Sequence, residues 1–155
     1  MTRSRSAAAV LAAVAGLLCP GDADARDRWT PAEANAWYAE MPWLVGANYA
    51  PAYAINQLEM WQAETFDPEA IDRELGWAED LGFTSVRVFL HHLLWEQDRE
   101  GFLRRMEQFL EIADKHDIGV MFVLFDSVWD PHPKLGKQRA PQRGLHNSGW
   151  VQSPG

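Results

Sequence analysis

Arg87 stands in the middle of a β-forming run, Ser85-Val86-Arg87-Val88-Phe89-Leu90, that ends at His91-His92. A guanidinium cannot be pressed into an apolar helix layer cheaply. It is expected to face a cleft and meet a carboxylate there, with Phe89 and His91, of the same parity, on the same side. Two other apolar runs also end in polar side chains. Trp43-Leu44-Val45-Gly46-Ala47 leads into Asn48-Tyr49, and Gly119 to Phe125 closes on Asp126, followed by Trp129 and Asp130. An orienting cation, an amide, a carboxylate and flat indoles suit a ligand that is polar at its edges and apolar on its faces, as sugar rings are. Trp129 and Trp150 lie in a Pro- and Gly-rich stretch with no helical stripe to join, so they are read as stacking platforms, and Trp61 and Trp95 as packing. Adjacent strand residues point to opposite sides, so His91 and His92 cannot ligate one ion while extended. With no H-E-x-x-H, H-x-H or cysteine set either, neither metal nor cofactor is expected.

Such residues need elements to hold them. Thr30-Pro31-Ala32-Glu33 is a helix start, with Thr as N-cap, Pro in the first turn and Glu reaching back. A short helix is expected to about Tyr38, and a helical turn around Asn56 to Gln62. Asp67-Pro68-Glu69 opens a further helix whose stripe is Ile71, Leu75, Ala78 and Leu81, with Gly82 as the stop. Phe102, Met106, Phe109, Leu110 and Ala113 mark another, whose charged residues, Arg104, Arg105, Glu107, Glu111 and Lys115, read as solvated surface. The apolar run 119–125 reads as a strand buried on both faces. Strand starts near 43, 85 and 119, joined by helical connections, imply parallel strands with right-handed crossovers. An open doubly wound sheet and the opening strands of a barrel both fit, but Gly46-Ala47-Asn48 offers no phosphate-binding glycine motif. The 30 residues after Phe125 hold no convincing helix and read as one long loop following the third strand.

The first 25 residues carry a processing pattern: Arg3 and Arg5, an apolar run from Ala7 to Leu18, then Ala23-Asp24-Ala25. This is the layout of a secretory signal peptide, with a secreted or periplasmic destination. Residues 26–42 form a helical lead-in and 43–155 the main domain. Cleavage after Ala25 would remove Cys19, the one cysteine. A chain with 47% hydrophobic and 23% charged residues can build a core, which excludes a disordered class. Its net charge of −8 argues against nucleic acid and anionic membranes as partners.

Together these segments resemble the N-terminal part of secreted cellulase-type, family 5-like glycoside hydrolases, a clan built on (β/α)8 TIM barrels. The resemblance is carried by WLVGANY (43–49), QLEMWQ (57–62), DRELGW (72–77), GFTSVRVFLH (82–91), FVLFD (122–126) and HNSGW (146–150), across almost the whole chain after the leader. It implies an α/β fold comprising the first three βα units of an incomplete (β/α)8 barrel, acting on a β-linked polysaccharide or oligosaccharide. It implies that Arg87 supports the nucleophile and that Asn48, Asp126 and Trp129 line sugar subsites; Tyr49, His91, His146, Asn147 and Trp150, at the strand ends and in the long loop, are expected to bind substrate with them. Enzymes of this clan place the acid/base Glu after an Asn on the fourth strand and the nucleophile Glu on the seventh. This chain has no Asn-Glu dipeptide, and its last glutamate is Glu111. Retaining hydrolysis needs two carboxyl groups about 5–5.5 Å apart. The expectation is therefore a catalytically incomplete piece of a glycosidase, with both glutamates downstream. The alternative is a non-catalytic carbohydrate-binding protein.

Overall fold

The computed structural model describes residues 27–155; the expected signal peptide lies outside them. The chain divides into two compact units, one ending at Pro42 and one running from Trp43 to Gly155.

In the first unit, helix α1 spans Pro31–Glu40. The capping box forms as its residues require: Glu33 N–H donates to Thr30 Oγ1 at 3.3 Å, and Thr30 N–H to Glu33 Oε2 at 2.8 Å. Trp29 packs on Trp37 with ring centroids 5.8 Å apart.

The second unit is a mixed α/β arrangement around a three-stranded, all-parallel sheet in the order β1 (Gly46–Tyr49), β2 (Ser85–Phe89), β3 (Gly119–Val123). Helix α2 (Gln57–Trp61) and helix α3 (Pro68–Asp80) lie between β1 and β2; α4 (His92–Gln97) and α5 (Arg99–Lys115) lie between β2 and β3. Asp67 caps α3 through Ala70 N–H, and Asp98 caps α5 through Gly101 N–H, both at 3.0 Å. Gly82 ends α3 at φ +83°, where a side chain would be strained.

The register aligns Asn48, Arg87 and Met121 on one face, and Ala47, Val86 and Val120 on the other. The second face carries the core. Val86 and Val88 are buried with Ile71 and Leu75 of α3 and Phe102, Phe109 and Ala113 of α5. Trp61 is its hub, fully buried, with ring centroids 5.4 to 6.3 Å from Phe66, Phe102, Phe109 and Phe122. Its indole N–H donates to Phe89 O at 2.9 Å, satisfying the one polar group it brings inside.

Several expectations are corrected. The third strand is not buried on both faces: Met121 is 62% exposed, and Leu124 and Phe125 beyond it 61% and 73%. The helices of this unit cover only one face, and among the described residues β3 has a single neighbour. Pairing stops at Val123 because β2 ends where His91 turns the chain into α4, leaving Leu124 and Phe125 no partner. The first strand begins at Gly46, and Trp43 is 86% exposed. Helix α4 was unforeseen because its N-cap is a histidine, whose Nδ1 accepts from Leu93 N–H at 3.2 Å. Leu81 is the exposed C-cap of α3 and not part of its apolar stripe. Arg105 is not solvated surface: its Nε donates to Trp61 O at 2.6 Å and it pairs with Asp98 at 3.3 Å, tying α5 to α2.

Candidate functional site

The C-terminal ends of β1 and β2 form a floor, and the segment after β3 folds back over it. That segment has no helix or strand of its own, yet it is held at many points. Asp126 and Ser153 exchange backbone hydrogen bonds of 2.7 Å in each direction, and Asp130 is bridged to Val151. Buried side chains of α2 and its caps reach into it. Asn56 Nδ2 donates to Gly149 O and Gln138 Oε1, each at 2.8 Å, and Gln57 Nε2 to Val151 O at 2.9 Å. Gln62 donates to Gly136 O at 3.1 Å and accepts from Gly136 N–H at 2.6 Å. Gly149 packs directly against the Ile55 side chain, which a Cβ at that position would have to displace. Asn56, Gln57 and Gln62 escaped notice as functional residues. The available signal was the set of amides interleaved with Leu58, Met60 and Trp61, since a buried helical turn does not carry amides unless something must be hydrogen-bonded.

Between floor and returning segment lies a cleft of about 510 Å³. Asn48, Tyr49, Arg87, Asp126, Trp129, His146, Asn147 and Trp150 all line it, so of the residues expected to support the nucleophile or bind sugar, all but His91 converge there. Arg87 is exposed on the uncovered face. Its guanidinium lies 4.7 Å over the Phe89 ring, and Nη1 donates a long 3.4 Å bond to Asn48 Oδ1. The expected carboxylate partner is not found: among the described residues Arg87 makes no ion pair. Asp126, the carboxylate expected at the end of the third strand, is engaged by Trp150, whose indole N–H donates to Oδ2 at 2.8 Å, and by Val128 N–H at 3.3 Å. That bond orients Trp150, which meets Phe89 edge-on at 5.2 Å. Trp129 meets His146 edge-on at 5.7 Å. Trp129 and Asn147 hold φ of +79° and +49°, so two cleft residues carry left-handed backbone that ordinary side chains rarely adopt.

Tyr49 belongs to the site through the end of β1, but its hydroxyl donates to Glu74 Oε2 on α3 at 3.0 Å, and its ring packs on Phe109. Burial and the Glu74 carboxylate push its phenol upward, so it stays protonated and supports the floor.

His91 is a correction. It is 1% exposed, outside the cleft, with Nε2–H donating to Gln152 O at 2.9 Å while Nδ1 caps α4. These two bonds fix the neutral tautomer. Burial, then the neighbouring His92, lower its pKa to about 4. Nor do His91 and His92 point to opposite sides: the chain has left the strand, and their rings stack at 4.7 Å.

Asp126 is the one carboxylate lining the cleft among the described residues; Asp130 lines an adjoining cavity and accepts from His132 N–H at 3.0 Å. The cleft can therefore orient and stack a ligand, but no two carboxyl groups face each other across it. No protein-family model, curated protein or solved structure matches the chain.

Proposed function

We propose that residues 43–155 form part of the substrate cleft of a (β/α)8-type glycoside hydrolase acting on β-linked polysaccharide, and that the catalytic acid and nucleophile come from further strands. The observation that carries this reading is the convergence of Trp129, Trp150, Asn48 and Arg87 in one cleft at the C-terminal edge of a parallel sheet, where α/β folds bind ligands. Indoles offer flat apolar faces to sugar rings, while the amide and guanidinium offer donors to hydroxyls. The sheet is compatible with continuation, since among the described residues β1 and β3 each have one neighbour and no helix of this unit covers the Arg87 face. In a barrel that face would turn inward, and Arg87 would meet its carboxylate there.

A second reading is favoured by the state of Asp126. The lone carboxylate is already committed to Trp150 and Val128, which suits binding without turnover. Both readings require glycan binding. They separate on reducing-sugar release from β-glucan, xylan and mannan by the 155-residue chain and by a version carrying further barrel strands. Turnover only in the longer protein supports the first reading. Binding without turnover in both supports the second, and no glycan binding by either overturns both. Hydrolysis by the short chain, abolished by Asp126→Asn, would contradict the assignment of the catalytic pair to other strands.

A further inference from the structure

All 22 acidic side chains of the chain precede residue 131. From there to residue 155 the charged residues are Lys134, Lys137, Arg139 and Arg143, with His132 and His146 beside them. An acidic protein thus carries a locally cationic segment, and it is the segment that closes the candidate site. Two further cavities, of about 610 and 400 Å³, continue from the 510 Å³ cleft. The smaller shares Trp129, His146, Asn147 and Trp150 with the cleft, and Arg139, Leu145, Asn147 and Ser148 with the larger. Adjoining through these shared residues, the three are read as one groove, walled along one side by residues within 126–130 and 137–150.

The charges along this groove are unequally committed. Its carboxylates already accept hydrogen bonds: Asp126 from Trp150 and Val128, Asp130 from His132, and Glu59 from Ile55 N–H at 2.8 Å. Its cations do not donate in the same way. Lys137 and Arg139 are exposed and make neither side-chain hydrogen bond nor ion pair among the described residues, and Arg87 has only its long bond to Asn48. Free donors spaced along a groove with indoles at one end match a polymer that presents flat ring faces and regularly spaced negative groups. A neutral glycan would leave these exposed cations to solvent.

We propose that the groove binds an anionic polysaccharide, with Lys137 and Arg139 engaging carboxylate or sulfate groups on sugars flanking the one stacked at Trp129 and Trp150. This rests on the glycan-binding reading and narrows it to a substrate class. A single-stranded nucleic acid also pairs flat rings with regular negative charge, and the oligonucleotide in the test below separates it from a polysaccharide.

The test is calorimetric titration of the full chain at low and moderate salt. The probes are polygalacturonate and its carboxyl-reduced derivative, carrageenan and its desulfated derivative, a neutral β-glucan, and a single-stranded oligonucleotide. Binding of at least one anionic polymer at least tenfold tighter than its neutralised derivative is expected, and which polymer it is distinguishes carboxylate from sulfate. Arg139→Gln and Lys137→Gln should each weaken it severalfold and flatten its salt dependence. Lys134→Gln, the same charge change outside the groove, should alter it less than twofold. Equal losses from Lys134→Gln, equal affinity for the oligonucleotide, or a neutral glucan bound as tightly as any anionic polymer would each overturn the proposal. In the last case glycan binding itself would stand; binding of no polysaccharide would remove both readings.

Discussion

The two faces of the sheet are made by the same three strands, yet they do opposite work. On the helix side, Val86, Val88 and their neighbours are buried against α3 and α5 around Trp61. On the other side, Asn48, Arg87 and Met121 face outward with no helix of their unit above them, and Phe89 is covered by Arg87 and by Trp150 of the returning segment. Residues one position apart in β2 therefore differ in kind: Val88 holds the fold together, whereas Arg87 is free to meet a ligand. Stability and recognition are separated by parity along a strand.

This separation can be broken most forcefully at Trp61. Trp61→Ala should cost about 3–5 kcal/mol through the cavity and lost aromatic contacts, measured by urea denaturation. A loss below about 1 kcal/mol would mean that the helix side is not the seat of stability. Next comes the matched pair in β2. Val88→Ala should destabilise by about 1–3 kcal/mol, whereas Arg87→Ala should change stability by less than about 0.5 kcal/mol while weakening glycan binding. Equal shifts in denaturation midpoint for the two would erase the distinction between faces. Asn56→Ala should cost about 1–3 kcal/mol, because Gly149 O and Gln138 lose a buried donor. It should also weaken binding, since the returning segment loses its anchor, and hydrogen exchange across 136–151 should rise.

Two histidines make a gentler test. His91 is held down to about 4 by burial and by His92, against about 6.5 in an unfolded chain. Between those values the unfolded state binds more protons, so stability should fall as the pH drops from about 6.5 towards 4. His116 is raised by the carboxylates of Glu79 and Asp72 on α3, at 2.7 and 2.8 Å. Its contribution is complete below about 6.5 and is lost as the pH rises through its raised folded value. His91→Asn should therefore flatten the acid limb of a pH–stability curve and His116→Gln the neutral-to-alkaline limb. The opposite assignment would contradict the geometry. Smallest of all, Trp129→Gly should leave the melting temperature unchanged or slightly raised, because φ +79° suits glycine, while binding is lost.

Much of this arrangement could be read from residue types. The caps Thr30 and Asp67, the stop at Gly82 and the three parallel strands follow from local chemistry, and the polar strand ends pointed to one cleft. What could not be read depended on partners distant in sequence. The exposure of β3 follows from the helices covering one face only, which apolarity cannot reveal. His91 looked like a strand-end ligand group, but burial by Gln152 and the cap of α4 made it structural. The long segment after Phe125 looked structureless because its order comes from Asn56, Gln57 and Gln62, some 75–95 residues earlier. Its cationic character was legible in the absence of any acid after Asp130.

On the proposed function, the uncovered sheet face and the returning segment form a sugar-binding cleft. That reading is tested most directly by following indole and side-chain N–H signals in NMR spectra during titration with a β-linked oligosaccharide, neutral or anionic. The Trp129 and Trp150 indoles, the Asn48 amide and the Arg87 Nε–H should shift together in a saturable way, while Trp61, Trp77 and Trp95 stay fixed. Saturable shifts centred on Trp77 or Trp95, or none in the presence of any oligosaccharide, would contradict it.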